Sequence, residues 1–309
     1  MQEPTPALIG IDWGTTNLRA FRLAADGTVL EAREAPGRGL MHVAAGGYPA
    51  ALAEVLGGWA EAKGGAGLPV LAAGMVGARQ GWHEVPYAPA PAGLDDLAAA
   101  LFPVPDAPGG LDVRLVPGVI DRAGVPDVMR GEEAEILGLA EAETEGPVCL
   151  PGTHSKWVAV EAGRIARFAT FMSGEVYGLM RARSILARTM PEDGDHDAHD
   201  PAAFARGVAR SGAPGGPLHH LFGARTLALT GDLAEGAGPS YLSGLLIGAE
   251  IRAAAALIDR PGPVTLVGAA GLIDRYGDAL ALLDRPVRRA APDAAGRGLA
   301  RIARAARLV

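Results

Sequence analysis

Cysteine is almost missing from these 309 residues, with Cys149 standing alone. One thiol forms neither an internal disulfide framework nor a multi-cysteine zinc site, and it fits a reducing cytosol. Lysine is nearly as scarce, limited to Lys63 and Lys156, and aromatic residues make up 5% of the chain. Positive charge rests on scattered arginines under a formal net charge of −7, so a nucleic-acid footprint is not expected. The basic run from Arg285 to Arg307 alternates with alanine and reads as a solvated helix face. MQEPTPALIG lacks a basic region followed by an apolar run, so no signal peptide is expected. The longest apolar helical stretch, Tyr241 to Ile258, is broken by Glu250 and Arg252, which argues against a membrane span. A Gly-x-x-x-x-Gly-Lys-[Ser/Thr] loop is also absent, excluding a P-loop of the usual form. VGAAGLIDRYG, from Val267, lacks the third glycine of a dinucleotide fingerprint.

What is present is an apolar share of 49%, enough for real cores, in a length that suits two domains. From Ala7 to Leu23 the pattern is strand, tight polar turn, strand, and Asp26-Gly27 turns into a third strand at Thr28–Arg33. The figure returns from Pro147 in PVCLPGTHSKWVAVEAGRIARFATF. A second echo joins PVLAAGMVG, from Pro69, to PVTLVGAAG, from Pro263, each read as a buried strand ending in a glycine turn that opens a helix. Two echoes in the same chain order argue for a duplication, and the helical spacing of Glu132 to Glu141, ended by Gly146-Pro147, puts the boundary at 143/144. His199–Gly212 and Pro239–Ile258 read as helices, with Asp200 and Ser240 as N-caps. Strands followed by alternating helices and strands make the class α/β.

The ordered motifs IDWGTTNLRA, AGMVG, GW followed by PY, VMRGEE, PGTHSKW, SGE and YLSGLLIGAE resemble the 2-dehydro-3-deoxygalactonokinase family of the sugar kinase, Hsp70 and actin superfamily. That resemblance implies two RNase H-like (actin-like ATPase) domains, 1–143 and 144–309, with a nucleotide cleft between them. It also implies transfer of phosphate from ATP to the 6-hydroxyl of 2-dehydro-3-deoxy-D-galactonate.

Residue roles follow from the resemblance and from phosphoryl-transfer chemistry. Gly14, Thr15, Thr16 and Asn17 form one expected phosphate cradle, and Gly152 and Thr153, with His154 and Lys156 beside them, form the other. Asp12, at a strand end, is expected to hold Mg2+ through water; the competing reading is an Asx-turn aspartate. Gly268, Ala269 and Gly271 fall where the superfamily places its adenosine turn. Related kinases set a catalytic aspartate just before the second hairpin. Here that place holds Glu132 and Glu133; Glu132 is taken as the base, and Glu133 is left between base and substrate contact. The acid substrate asks for a cation, for which Arg19 and Arg130 are candidates. Trp82, Tyr87, Ser173 and Glu175 are candidates for the sugar pocket. DGDHDAHD, from Asp193, crowds histidine and carboxylate without a metal-ligand spacing and reads as a solvated loop.

Other readings stay open: a kinase for another sugar acid or ketose, a nucleotide or polyphosphate phosphatase on the same scaffold, or a non-catalytic nucleotide-dependent regulator. The expected partners are small molecules, without nucleic acid or membrane, and a homodimer is compatible with the sequence.

Overall fold

Two three-stranded antiparallel figures organise the structure, a computed structural model that describes residues 4–60, 67–191 and 199–309. The first is β1 (Pro6–Trp13), β2 (Asn17–Ala24) and β3 (Val29–Pro36). Helix α1 (Tyr48–Leu56) follows and leads to β4 (Val70–Gly74), which pairs in parallel with β1. Then come β5 (Ala88–Pro89), α2 (Leu94–Ala99), β6 (Phe102–Pro103), β7 (Val113–Leu115), β8 (Val119–Asp121), β9 (Asp127–Met129) and α3 (Glu132–Leu137). The main sheet runs β3-β2-β1-β4-β7-β6, with β5-β8-β9 as a small second sheet.

The second figure is β10 (Val148–Leu150), β11 (Ser155–Glu161) and β12 (Arg164–Phe171). Helices α4 (Ser173–Arg183), α5 (Pro201–Ser211), α6 (Gly216–Leu221), α7 (Gly223–Thr230) and α8 (Gly238–Leu257) precede β13 (Val264–Leu266), α9 (Ala270–Leu282), β14 (Val287–Arg289) and α10 (Ala294–Ala305). This sheet runs β12-β11-β10-β13-β14. The order matches the first five strands of the other sheet, so β1 corresponds to β10 and β4 to β13. The two sequence echoes fall on those equivalent strands.

The residues cluster into two compact units. One comprises the described residues of Met1–Thr144 with Val160–Arg167 and Ala290–Val309, and the other Glu145–Ala159 with Phe168–Arg289. A simple division at 143/144 therefore needs correction at its far end, because α10 belongs to the first unit. Its apolar face is sealed, with Leu299, Ala300, Ile302 and Ala303 at 0% exposure. Small residues let it approach α3: a Cβ at Gly298 would lie 1.8 Å from the Ala134 carbonyl oxygen, and one at Gly138 would lie 1.9 Å from that of Ala294. The arginines here are not simply a solvated face either. Arg301 Nη1 donates to the carbonyls of Leu137 (2.7 Å) and Leu139 (2.8 Å), and Arg297 Nε donates to Gly138 O at 3.1 Å. Cations thus meet the carbonyls at the end of α3.

Several local expectations hold and others shift. Asp200 caps α5, accepting from Ala203 N at 2.9 Å. Ser240 lies inside α8 and instead accepts from Asp200 N at 2.9 Å. Helix α3 ends at Leu137, short of Glu141. The glycine turn after β4 opens a 3-10 turn, Met75–Gly77, and not a long helix. Positions 193–198 of the histidine-rich loop lie outside the described residues.

Candidate active site

In the first unit the site grows from the carboxyl end of β1. Asp12 stands opposite Arg19 in the β1–β2 register. Arg19 Nε and Nη2 both donate to Asp12 Oδ2, at 3.0 and 2.6 Å, and Nη2 also reaches Glu135 Oε1 at 2.9 Å. Burial opposes the Arg19 charge, but the two carboxylates outweigh it and hold the guanidinium above its ordinary pKa. Glu135 is pushed up to about 7, by burial first and then by Asp12, against the pull of Arg19.

The hairpin turn beyond Asp12 is buttressed through its carbonyls. The carbonyls of Gly14, Thr15 and Thr16 accept from Leu40, Met41 and Gly39 N–H at 3.0, 3.0 and 2.9 Å. A Cβ at Gly39 would lie 2.3 Å from the Thr16 carbonyl carbon, so glycine permits this buttress. With the carbonyls turned inward, Thr15, Thr16 and Asn17 stay exposed at the turn.

A second turn, Arg130 to Glu133, is brought to the same end of the sheet. Gly131 has φ +112°, and its Cβ position lies 3.2 Å from the Cα of Gly74, the residue that pairs with Trp13. Arg130 N donates to Glu132 Oε2 at 3.0 Å, and Gly131 N to Glu133 Oε2 at 2.7 Å. Glu133 is fully buried, and burial, then the neighbouring Glu132 charge, pushes its carboxyl up to about 8. Arg130 Nη2 donates to Val85 O at 2.6 Å, and its guanidinium carbon sits 4.3 Å from the centre of the Tyr87 ring.

The second unit carries a matching turn with different chemistry. A Cβ at Gly174 would lie 2.3 Å from the Gly152 carbonyl oxygen, and Glu175 N donates to Thr153 O at 3.0 Å. His154 Nε2 and Glu175 Oε2 are 2.5 Å apart. Lys156 pairs with Leu150 on β10 and is buried at 5% exposure. Beneath the turn, Glu250 Oε1 accepts from Trp157 Nε1 at 2.8 Å and Tyr276 Oη lies 2.9 Å from both its carboxylate oxygens; Ser155 Oγ is 2.9 Å from that hydroxyl. Gly268 (φ +135°), Ala269 and Gly271 are exposed where β13 meets α9.

Residues 12–302 match the 2-keto-3-deoxy-galactonokinase family. The chain belongs to that family. It is 38% identical over 300 residues, 96% of each chain, to a Rhizobium meliloti (strain 1021) protein named "Probable 2-dehydro-3-deoxygalactonokinase". It is 33% identical to the Escherichia coli (strain K12) 2-dehydro-3-deoxygalactonokinase, covering 94% of this chain and 95% of that one. A crystal structure from Sinorhizobium meliloti, described as a candidate 2-dehydro-3-deoxygalactonokinase, superposes with a TM-score of 0.86 at 36% identity, covering 96% of this chain and 98% of that one. The Acidaminococcus fermentans (R)-2-hydroxyglutaryl-CoA dehydratase component A shares the fold alone, at TM-score 0.50 and 13% identity over 96% of this chain and 95% of that one.

As a member of the 2-keto-3-deoxy-galactonokinase family the chain is a carbohydrate kinase, and its site can be compared with the expected set. The structure groups Asp12 with Arg19, Arg130 with Tyr87, Glu132 and Glu133, and Gly152 and Thr153 with Ser173, Gly174 and Glu175. Arg19 pairs with Asp12 and Glu135, while Arg130 Nε and Nη1 are buried without a hydrogen-bond partner. Trp82 Nε1 donates to Asp106 Oδ2 at 3.0 Å and its ring stacks on Tyr48. Sequence reading missed Glu135 and Glu250. Glu135 was detectable as a carboxylate on the helix opened by RGEE; nothing local marks Glu250 as buried.

Proposed function

We propose that the chain transfers the terminal phosphoryl group of ATP to the 6-hydroxyl of 2-dehydro-3-deoxy-D-galactonate, giving ADP and 2-dehydro-3-deoxy-6-phosphogalactonate, in the cytosol. Family membership supports the reaction. The observation that carries the residue assignment is the pair of unlike carboxyls at one turn, Glu132 with access to solvent and Glu133 sealed. A carboxyl raised to about 8 keeps its proton at neutral pH and is a poor acceptor, so Glu132 is assigned as the base toward the 6-hydroxyl.

Asp12 fits magnesium. Among the described residues no group of three His, Cys, Asp or Glu could cage a metal ion. A single carboxylate with Oδ2 bound by Arg19 and Oδ1 left over suits a cation that keeps most of its waters. Magnesium, when bound, supplies neutralisation of charge on the phosphoryl oxygens. Arg19 fixes the Asp12 carboxylate through two hydrogen bonds to one oxygen. The exposed Thr15–Asn17 turn offers amides and hydroxyls to phosphate, as do Gly152 and Thr153 with His154, while Lys156 adds a cation on the adjoining strand. Gly268, Ala269 and Gly271 leave open backbone for the adenosine.

The test is ADP release by the purified protein with ATP and Mg2+, in the presence of 2-dehydro-3-deoxy-D-galactonate, of its gluconate epimer, or of neither. Release that depends on the galactonate is expected. Release without any sugar acid overturns the kinase reading in favour of a phosphatase, and release with the gluconate alone reassigns the substrate.

A further inference from the structure

Glu133 and Glu250 are sealed from solvent, at 0% and 2% exposure, yet they are satisfied differently. The Glu250 oxygens both have partners, Trp157 and Tyr276. Glu133 uses Oε2 to accept from Gly131 N, while Oε1 is enclosed with no hydrogen-bond partner. Leaving a buried polar atom unmade is costly, so such an atom in a native site needs an explanation.

Arg130, in the same turn, repeats the pattern. Its Nη2 is held by Val85 O, and the Tyr87 ring covers the guanidinium, but Nε and Nη1 are buried without partners. The surroundings are shaped around this arrangement. A Cβ at Gly77 would lie 2.9 Å from Nη1, and one at Gly118 would lie 2.8 Å from the Tyr87 ring. Unpaired guanidinium donors enclosed in protein call for an anion.

We propose that the Arg130–Glu133 turn is the subsite for the 2-oxo-carboxylate end of the sugar acid, with Arg130 Nε and Nη1 meeting the carboxylate and Glu133 Oε1 meeting the 2-oxo oxygen. The inference rests on the kinase reading above and names which end of its substrate this turn holds. Its logic is a count of donors. Gly131 N–H occupies Glu133 Oε2 as an acceptor, and a carboxyl raised to about 8 carries its proton on the remaining Oε1 at neutral pH. All three unpartnered atoms therefore donate. A 2-oxo-carboxylate offers only acceptors and matches them, whereas a 2-hydroxyl can accept there but leaves its own O–H to find an acceptor in a turn whose unpartnered atoms all donate.

The experiment compares 2-dehydro-3-deoxy-D-galactonate with the 2-hydroxy acid made from it by reduction. It uses turnover and also titration calorimetry without ATP, on the unaltered protein and on Arg130→Lys, Glu133→Ala and Glu133→Gln. The unaltered protein is expected to prefer the 2-oxo acid by about tenfold or more. Arg130→Lys and Glu133→Ala are expected to raise the KM for the sugar acid by about tenfold to a hundredfold while the KM for ATP stays within about twofold. Glu133→Gln should recover most of the loss seen with alanine, because its amide oxygen accepts from Gly131 N–H and its amide nitrogen donates. Equal binding of the two acids, parallel shifts of both KM values, or a folded glutamine variant that rescues nothing each overturn the proposal. The comparison on the unaltered protein decides the matter even if a variant fails to fold. Selective binding of the 2-oxo acid without ADP release leaves this subsite standing and removes only the kinase reading.

Discussion

The two Gly-Thr hairpins share strand order and diverge in what they carry. In the first, β1 carries Asp12 one residue before its end with Arg19 opposite it; in the second, β10 ends in Leu150 with Lys156 opposite it. The buttresses differ as well. The first turn is held by the backbone of Gly39 to Met41, and the second by Gly174 and Glu175, with the Glu250 network beneath. A repeated fold has thus kept its strand order while dividing the charges. The first copy carries a carboxylate and the second a lysine at the corresponding strand pair.

The sharpest way to break this division is at Glu132. Glu132→Gln is expected to lower kcat by about a thousandfold with ATP binding retained, read by ADP release and by nucleotide titration. A folded variant with near-normal turnover would move the base elsewhere. Next, Asp12→Asn should lower turnover by about a hundredfold at saturating Mg2+ and raise the Mg2+ concentration needed for half-maximal rate. An unchanged magnesium titration would reduce Asp12 to a hairpin cap. Changes in the second hairpin should act chiefly on the KM for ATP.

Close helix approaches give a smaller contrast. A Cβ at Gly298 meets α3, which carries the carboxylates, while one at Gly244 would lie 2.1 Å from the Phe204 carbonyl oxygen, between α8 and α5. Each alanine substitution is expected to cost about 1–3 kcal/mol, measured by thermal or urea unfolding. Gly298→Ala should also depress kcat of the folded protein, and Gly244→Ala should not; equal effects on kcat would erase the distinction.

The smallest effect concerns pH. The Glu133 carboxyl rises from an ordinary 4.5 to about 8 on folding, through burial and the Glu132 charge, with Gly131 N–H and Arg130 opposing. Its folded state binds the proton more tightly, so its contribution to stability is full below about 4.5 and is lost as pH climbs through about 8. Unfolding scans should show a falling melting temperature across that window, with a shallower fall in Glu133→Gln; an unchanged slope would mean that Glu133 is not the titrating group.

The candidate site was legible where chemistry is local. Asp12, the Gly14–Asn17 turn, RGEE and Gly152–Lys156 stand out as candidates because phosphate and metal binding need short, Gly- and Thr-rich turns and carboxylates near strand ends. The duplication was legible because equivalent buried strands retained Pro-Val and paired glycines. What stayed hidden depends on distant pairings. The pairing of Arg19 with Asp12 across the hairpin and with Glu135 on α3 is not visible in the sequence. Nor are the contacts of Trp82 with Asp106 and Tyr48.

By itself, then, the amino-acid sequence determined the α/β class, the repeated hairpins and the chemical types at each turn, since these follow from side-chain periodicity and backbone conformation within a few residues. Only the tertiary structure decided that α10 returns to the first unit, that Glu133 is sealed with one oxygen unpartnered while Glu250 is satisfied, and that Arg130 keeps two donors unmatched. Burial and hydrogen-bond satisfaction are sums over neighbours far apart in the chain, and no local pattern records them.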